Sequence, residues 1–402
     1  MVVGIIGAGA SGMTAALWAA QNPGVQVVLL ERQARVGRKL QATGNGRCNL
    51  SNAKFHISHY HGENPAFTEQ VFSQFGVDAT LEWLSSLGLC TVTEPEGRIY
   101  PYSDQANSVV DILRLALNKQ NISLRLGFEV EKIKNTNAGF VVESKDEAVH
   151  CDRLIVACGG LAGTKLGGTM AGYKLLSKLG HRSTKLRPNL VQIQSRWQAL
   201  SSLKGVRANC KVEICHNGEM FAQSQGELQF TEQGLSGPVI FEISRDVCAA
   251  SGAWVGRLDF LPQWEEEQLM SHLQKRVEKD YPLEEILTGV LHNRLGRVLT
   301  QTAGVRGKTT CKDLSQRELS ELCRCVKGLE VELTEPMGME NAQVTAGGVL
   351  TDDFDPTTLQ SKKIPGLYVC GELLDIDGDC GGYNLQWAWS SGYVAGINAG
   401  KE

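Results

Sequence analysis

The sequence predicts an α/β fold in which a parallel-sheet domain is split by an inserted antiparallel module. Three observations carry this. Met1 to Arg32 reads as strand, glycine-rich turn, helix, strand and acid, and the stretch from about 366 to 398 again reads as strand, turn and helix. Between them, from about residue 189, the pattern changes to alternating runs and then amphipathic helices.

Val2 to Ile6 is a short apolar run, and Gly7-Ala8-Gly9-Ala10-Ser11-Gly12 follows it directly as G-x-G-x-x-G. Gly7 allows the tight turn, Gly9 lets a pyrophosphate approach the backbone, and Gly12 lets helix and strand pack closely. An Ala-rich helix over Thr14 to Gln21 is broken by Asn22-Pro23-Gly24, and Val25 to Leu30 forms a second buried strand ending in Glu31. The helix N-terminus would hold phosphates and Glu31 would accept from a ribose hydroxyl. An ordinary glycine-rich turn would not need that acid, so the segment predicts dinucleotide binding.

The next loop, Ala42 to Asn52, is rich in glycine, amide, hydroxyl and basic groups and has the composition of a ligand loop. Amphipathic helices are expected at about 65 to 76 and 78 to 87, then Gly97 to Tyr102, then a helix from Ser108 to Gln120. Strands at about 122 to 130, 139 to 144 and 149 to 156 read as a meander crossing back to the sheet. The last stops at Cys158-Gly159-Gly160, a turn where backbone meets cofactor. Alternating runs at Val191 to Gln194, Lys211 to Cys215, Glu227 to Thr231 and Trp254 to Phe260 predict an antiparallel sheet, interrupted by Gly234 to Pro238. Helices dominate from about Glu265 to Lys327, and Glu330 to Leu333 is strand-like. Gly366 to Glu372 then forms a buried strand ending in an acid, and Gly381 to Gln386 opens a final helix over Trp387 to Asn398.

Across 402 residues, 42% are hydrophobic and 21% charged, as in ordinary globular proteins, and the length suits two or three domains. A net charge of -4 argues against a protein that coats nucleic acid generally. Residues 2 to 20 carry no charge, yet no basic region precedes them and their glycines sit at the fingerprint positions, so the reading is a cytoplasmic protein without membrane attachment. The twelve cysteines lack metal-type pairing, Cys323 and Cys325 included, and read as free thiols. His56, His59 and His61 lie in a polar segment with aromatic neighbours and read as a surface loop, so no metal site is expected.

A nicotinamide enzyme needs only one βαβ unit, whereas flavin adenine dinucleotide is long and needs a second set of contacts. The C-terminal segment supplies one: Glu372 can reach ribityl hydroxyls or the pyrophosphate, and the Gly381 to Gln386 turn can offer backbone N–H groups to the pyrimidine edge. The expected cofactor is therefore FAD. In the N-terminal half its contacts are Gly7, Ala8, Gly9, Ser11, Gly12, Glu31, Arg32, Lys39, Gly44, Gly46, Arg47, Cys48 and Asn49. Val130, Ala157, Cys158 and Gly159 follow, and Gly371, Glu372, Gly382, Tyr383, Asn384 and Leu385 complete the set.

These motifs together resemble the BaiN/YhiN-like flavoproteins, also known as aminoacetone-oxidase-family FAD-binding enzymes. The resemblance spans essentially the whole chain and rests on Gly7 to Gly12, Thr43 to Asn49, Gly97 to Pro101, Phe230 to Pro238, and Gly371-Glu372 with Asp375 to Gly378 and Gly381 to Gln386. Asn45 and Cys158 depart from the glycine and threonine often found at those places. The resemblance implies an α/β Rossmann-like FAD-binding domain of two-dinucleotide-binding flavoprotein type, formed by 1–188 and 344–402. It also implies an inserted antiparallel β-barrel, 189–262 with 329–343, and a helical module, 263–328. The activity implied is NAD(P)H-dependent reduction of bound FAD, with hydride passed to an acceptor such as a C=C bond. Alternatives are an rRNA-modifying enzyme reducing uridine to dihydrouridine and an FAD-binding sensor with little turnover.

Cys48 is the candidate catalytic acid or redox partner, because Arg47 and nearby amides would favour its thiolate; its alternative role is packing. Tyr100, Tyr102 and Tyr383 either stack near the isoalloxazine or serve as core aromatics. Two basic stretches without Asp or Glu, 182–211 and 294–312, could track phosphates of rRNA, with Trp197 as a stacking platform. The first includes Arg182, Lys185, Arg187, Arg196, Lys204, Arg207 and Lys211, and the second Arg294, Arg297, Arg306, Lys308 and Lys312. Their alternative is solvated charge spread over several faces.

Overall fold

The computed structural model describes residues 1–401 except 121, 280, 306 and 307. It contains two compact units, Met1–Pro188 with Met339–Glu402, and Asn189–Gly338.

The first unit is built on a five-stranded parallel sheet ordered Leu367–Val369, Arg153–Val156, β1 (Val2–Ile6), β2 (Gln26–Glu31) and Ile122–Leu126. Val3, Ile5, Ile6, Val27, Leu29 and Leu30 are all buried, as continuous apolar runs must be in a sheet covered on both faces. The strand order reverses at β1. Its C-terminal end and that of Arg153–Val156 therefore flank a switch point, the place where open α/β sheets bind ligands. Helix α1 (Ala10–Ala19) starts earlier than its Ala-rich stretch suggests, because the glycine turn itself forms the first helical turn, with Met13 N–H donating to the Gly9 carbonyl at 3.0 Å.

The final helix, Tyr383–Ala399, also starts before its predicted first residue and is buried along most of its length. It lies directly against α1. A Cβ at Gly392 would press on the Ser11 carbonyl, and one at Gly396 would overlap that of Ala15, so backbone meets backbone. Two fully buried tryptophans fasten the helix further. Trp387 Nε1 donates to the Gly371 carbonyl at 3.1 Å, and Trp389 Nε1 to that of Leu50 at 3.0 Å.

The meander differs from its predicted extent. Its three antiparallel strands are Lys132–Thr136, Gly139–Glu143 and Ala148–Cys151, whereas Ile122–Leu126 and Arg153–Val156 belong to the parallel sheet. Gly127 turns the chain at positive φ after the first, and Asp152, whose carboxylate accepts from Val2 N–H at 2.6 Å, separates the last pair.

In the second unit, six antiparallel strands close a barrel: Ile193–Ser195, Gly234–Ser236, Glu219–Phe230, Arg207–His216, Trp254–Asp259 and Leu329–Pro336. Helices Glu266–Glu278, Asn293–Thr302 and Gln316–Gly328 share one apolar core with it, around Leu269, Leu299 and Leu322. A helix over Pro238–Ala249 was not expected. Pro238 at its first turn pre-sets φ, and Val239, Ile240, Ile243 and Val247 are its buried side. Among the described residues, no helix is long and apolar enough to cross a membrane.

Replacing Gly392 with Val pushes the two helices of the first unit apart. We expect a loss of about 1–3 kcal/mol in urea unfolding, as for other overpacked sites, together with weakened FAD binding; wild-type stability would show that the approach is not tight.

Candidate functional site

The predicted residues of the two chain ends meet at the switch point. Gly7, at φ +103°, runs so close to the Ala157 carbonyl that any Cβ would collide with it, and a Cβ at Gly12 would overlap the Gly7 carbonyl. Gly371 sits equally close to the Ser11 hydroxyl. Gly9 behaves differently. Its φ of -80° and ψ of -169° suit any residue, and a Cβ there would meet no protein atom within 4 Å. Nothing in the protein requires glycine at that position, so the open space beside the α1 N-terminus is a cradle shaped for a phosphate. Gly159, at φ +70°, borders equally open space.

Several charged groups hold the cradle. Glu31 accepts from the Ala8 and Gln33 N–H groups, each at 2.8 Å, which sets the first turn and leaves further lone pairs for a ribose. Arg32 donates to the Gly167 carbonyl at 2.7 Å. Lys39 and Glu372, 333 residues apart, form an ion pair of 2.6 Å, and the second Glu372 oxygen accepts from Thr345 N–H at 2.9 Å. Val130 is buried beyond the strand Ile122–Leu126, and the segment between them is tied to β2 by Phe128 N–H donating to the Glu31 carbonyl.

The second glycine-rich loop is strained. Gly44, Asn45, Gly46 and Cys48 all have positive φ between 57° and 86°, and two of them are not glycine. Asn49 follows, and its Oδ1 is buried with no hydrogen-bond partner among the described residues. A Cβ on Gly382 would lie 2.8 Å from that oxygen, so the orphan faces the start of the final helix. Buried acceptors are rarely left so, and an N–H group of a bound ring would satisfy this one. The neighbouring strand Ser51–Asn52 is tied to the same turn, with Asn52 Nδ2 donating to the Gly381 carbonyl at 2.9 Å and Ser51 Oγ to Gln386 Oε1 at 2.7 Å. Asn384 closes that turn on itself, bonding both the N–H and the carbonyl of Gly378. Leu385 is half-buried beside it.

Three expectations need correction. Arg47 does not activate Cys48: its guanidinium bonds Glu94 at 2.7 Å and Asp104, and lies 3.9 Å over the Tyr100 ring. Burial pushes the Cys48 thiol up to about 12, with only Thr43 opposing, so it is not a thiolate at neutral pH. Burial likewise raises Cys158 and Cys370 to about 12. The three tyrosines differ among themselves. Tyr102 is 75% exposed, whereas Tyr100 and Tyr383 are buried.

The basic stretches are not bare positive faces either. Their sequences lack acids, but neighbouring strands and helices supply them: Arg196 pairs with Glu332 at 2.8 Å, Lys204 with Glu232 at 2.8 Å, Arg207 with Glu227 at 3.4 Å, Arg297 with Glu285 at 2.5 Å and Lys308 with Glu318 at 2.5 Å. Arg294 donates to the carbonyls of Ser202 and Lys204. Arg306 lies outside the described residues. Trp197 is half-buried and packs on Phe230 at a centroid distance of 5.9 Å.

Sequence reasoning missed two features. The Tyr173 phenol is buried without a partner among the described residues, and burial raises it strongly. His59 and His61, which read as part of a surface loop, share Asp379 from the other end of the chain.

Residues 1–398 match the family model described as the HI0933-like protein Rossmann domain. The chain belongs to that family. Within the HI0933-like family it is 41% identical, over 99% of both chains, to a Clostridium scindens protein named 3-dehydro-bile acid delta(4,6)-reductase. It is 31% identical to an Escherichia coli protein named ribosomal RNA dihydrouridine synthase, over 97% of this chain and 96% of that one. Its fold resembles that of 3-ketosteroid delta1-dehydrogenase from Sterolibacterium denitrificans, with a TM-score of 0.54 at 13% identity, covering 99% of each chain. The first unit is thus a Rossmann-type FAD-binding domain of an HI0933-like flavoprotein, and the second carries the closed barrel and its helices.

The glycines divide by cause. Gly9→Val should leave apo stability within about 0.5 kcal/mol, since its side chain enters open space, while FAD affinity falls at least about tenfold. Gly12→Val should lose both. Equal FAD binding by Gly9→Val and wild type, in a fluorescence titration, would remove the pyrophosphate from this cradle.

Proposed function

We propose that the protein is an FAD-dependent oxidoreductase that takes electrons from NAD(P)H and saturates a C=C bond conjugated to a carbonyl in a small hydrophobic acceptor. The cofactor half of this reading rests on the vacant space at Gly9 and the orphaned Asn49 oxygen, both of which fit an extended dinucleotide. The acceptor half rests on the 41% identity, along both whole chains, to a protein named as a delta(4,6)-reductase of a 3-dehydro-bile acid.

Once bound, the flavin would supply hydride transfer, and the protein supplies grip, orientation and protons. Gly7 to Gly12 and the α1 N-terminus would hold the pyrophosphate, Glu31 the adenosine ribose, and the Lys39–Glu372 pair the ribityl end. Asn49 and the Gly382 turn would receive the pyrimidine edge. Cys48 fits packing rather than acid or redox chemistry, because burial makes its thiol reluctant to give up its proton and so to form a thiolate.

Reduction of uridine in rRNA is the same bond chemistry on a different acceptor, and two relatives carry the name ribosomal RNA dihydrouridine synthase. The ion-paired arginines of the second unit favour it less than a small molecule. An FAD sensor would bind the coenzyme and turn over slowly.

Purified protein should be yellow, bleach with NADH or NADPH under anaerobic conditions, and regain colour on addition of a 3-oxo-Δ4,6 bile acid, whose product gains two hydrogens by mass spectrometry. Bleaching without recovery would contradict the acceptor class. Recovery with rRNA fragments alone, lost in an Arg196, Arg207 and Arg297 triple alanine variant, would establish the RNA reading instead.

A further inference from the structure

His59, His61 and Asp379 form a cluster that the cofactor cradle does not use. Strand Tyr60–His61 pairs antiparallel with Asp377–Gly378, and Asp379 N–H donates to the His59 carbonyl at 3.0 Å. This pairing delivers a carboxylate between two imidazoles from the opposite end of the chain. His59 Nδ1 lies 2.9 Å from Asp379 Oδ2, and His61 Nε2 lies 2.7 Å from Oδ1. Burial alone would raise the Asp379 carboxyl, but the hydrogen bonds from His61 and His59 outweigh it and hold it below its usual value.

An ionised Asp379 accepts an N–H from each ring, which fixes the His59 tautomer with its proton on Nδ1. The His59 Nε2 is then directed away from the carboxylate, with no protein partner among the described residues. The side chains are 34%, 32% and 34% exposed for His59, His61 and Asp379, so solvent reaches the cluster. His59 also stacks on Tyr383, with centroids 4.2 Å apart and planes at 21°. Tyr383 is the first residue of the helix that opens at Gly382, the turn facing the orphaned Asn49 oxygen. The imidazole thus packs on the first residue of the helix whose N-terminal turn faces Asn49.

We propose that His59, as its imidazolium, is the proton donor to the acceptor, positioned by Asp379 and recharged from solvent. The proposal rests on the reductase reading above. Hydride supplied by the bound, reduced coenzyme would reach the carbon β to the carbonyl, leaving the coenzyme oxidised. The π pair of the C=C bond takes the proton at the α carbon as the His59 Nε2–H bond breaks. The neutral imidazole keeps its Nδ1–H on Asp379 and regains the Nε2 proton directly from solvent, so each cycle consumes one hydride and one proton.

The test uses FAD-loaded protein reduced with dithionite and mixed anaerobically with a 3-oxo-Δ4,6 bile acid. His59→Ala should slow flavin reoxidation at least about 100-fold, within the range of general acid catalysis. Its flavin content should stay at the wild-type level, and added imidazole should restore part of the rate. Asp379→Asn should lower the maximal rate without changing the half-saturating acceptor concentration. Nitrogen NMR of the coenzyme-free protein should show the His59 Nδ1–H tautomer in wild type and its loss in Asp379→Asn. His56→Asn, at an exposed histidine outside the cluster, should match wild type. Wild-type reoxidation by His59→Ala would overturn the proposal. So would a slow variant that imidazole does not rescue, because the ring would then only be packing on Tyr383. A wild-type protein that loads FAD but is not reoxidised by this probe fails the reading beneath, and the proposal falls with it.

Discussion

The backbone-to-backbone approach of α1 and the final helix is the constraint on which the rest of the first unit depends. Gly392 and Gly396 have no side chain because Ser11 and Ala15 carbonyls occupy that space. Only small residues permit so short an axial distance. The result is that the two ends of a 402-residue chain, separated by an inserted unit, form one sheet-and-helix domain with a common core.

From that contact follows the composition of the site. The glycine turn after β1 and the turn after Leu367–Val369 lie side by side because the helices that follow them do, and Lys39–Glu372, Asn52–Gly381 and Ser51–Gln386 each join one end to the other. Strain is concentrated in the loop over 44–48, where two non-glycine residues adopt positive φ. The packed helices beneath hold such a conformation, which a free loop would relax. The histidine pair on Asp379 belongs to the same pattern, since neither end of the chain contains a complete cluster.

How much of this was legible in the sequence depended on the range of each interaction. G-x-G-x-x-G with Glu31 is a local motif whose reasons are steric, and the structure shows the glycine collisions that the motif implies at Gly7 and Gly12. The six-stranded barrel followed from alternation and family resemblance, but the helix at Pro238 did not, because a Gly-Pro pair reads as a break as readily as a helix start. Charge was read worst. Arg47, Arg196 and Arg297 were judged by neighbours in sequence, whereas their partners Glu94, Glu332 and Glu285 arrive from other elements. The Cys48 thiolate failed for the same reason, its neighbouring cation being spent elsewhere. Asp379, 318 residues from His61, could not be found by spacing.

The central claim is that one coenzyme is gripped jointly by the first and last segments of the chain. Hydrogen–deuterium exchange with and without FAD tests it most directly. The account predicts simultaneous protection of the amides over 9–13, 46–50 and 382–386 when FAD is added. Protection confined to the N-terminal segment, or to none of the three, would contradict it.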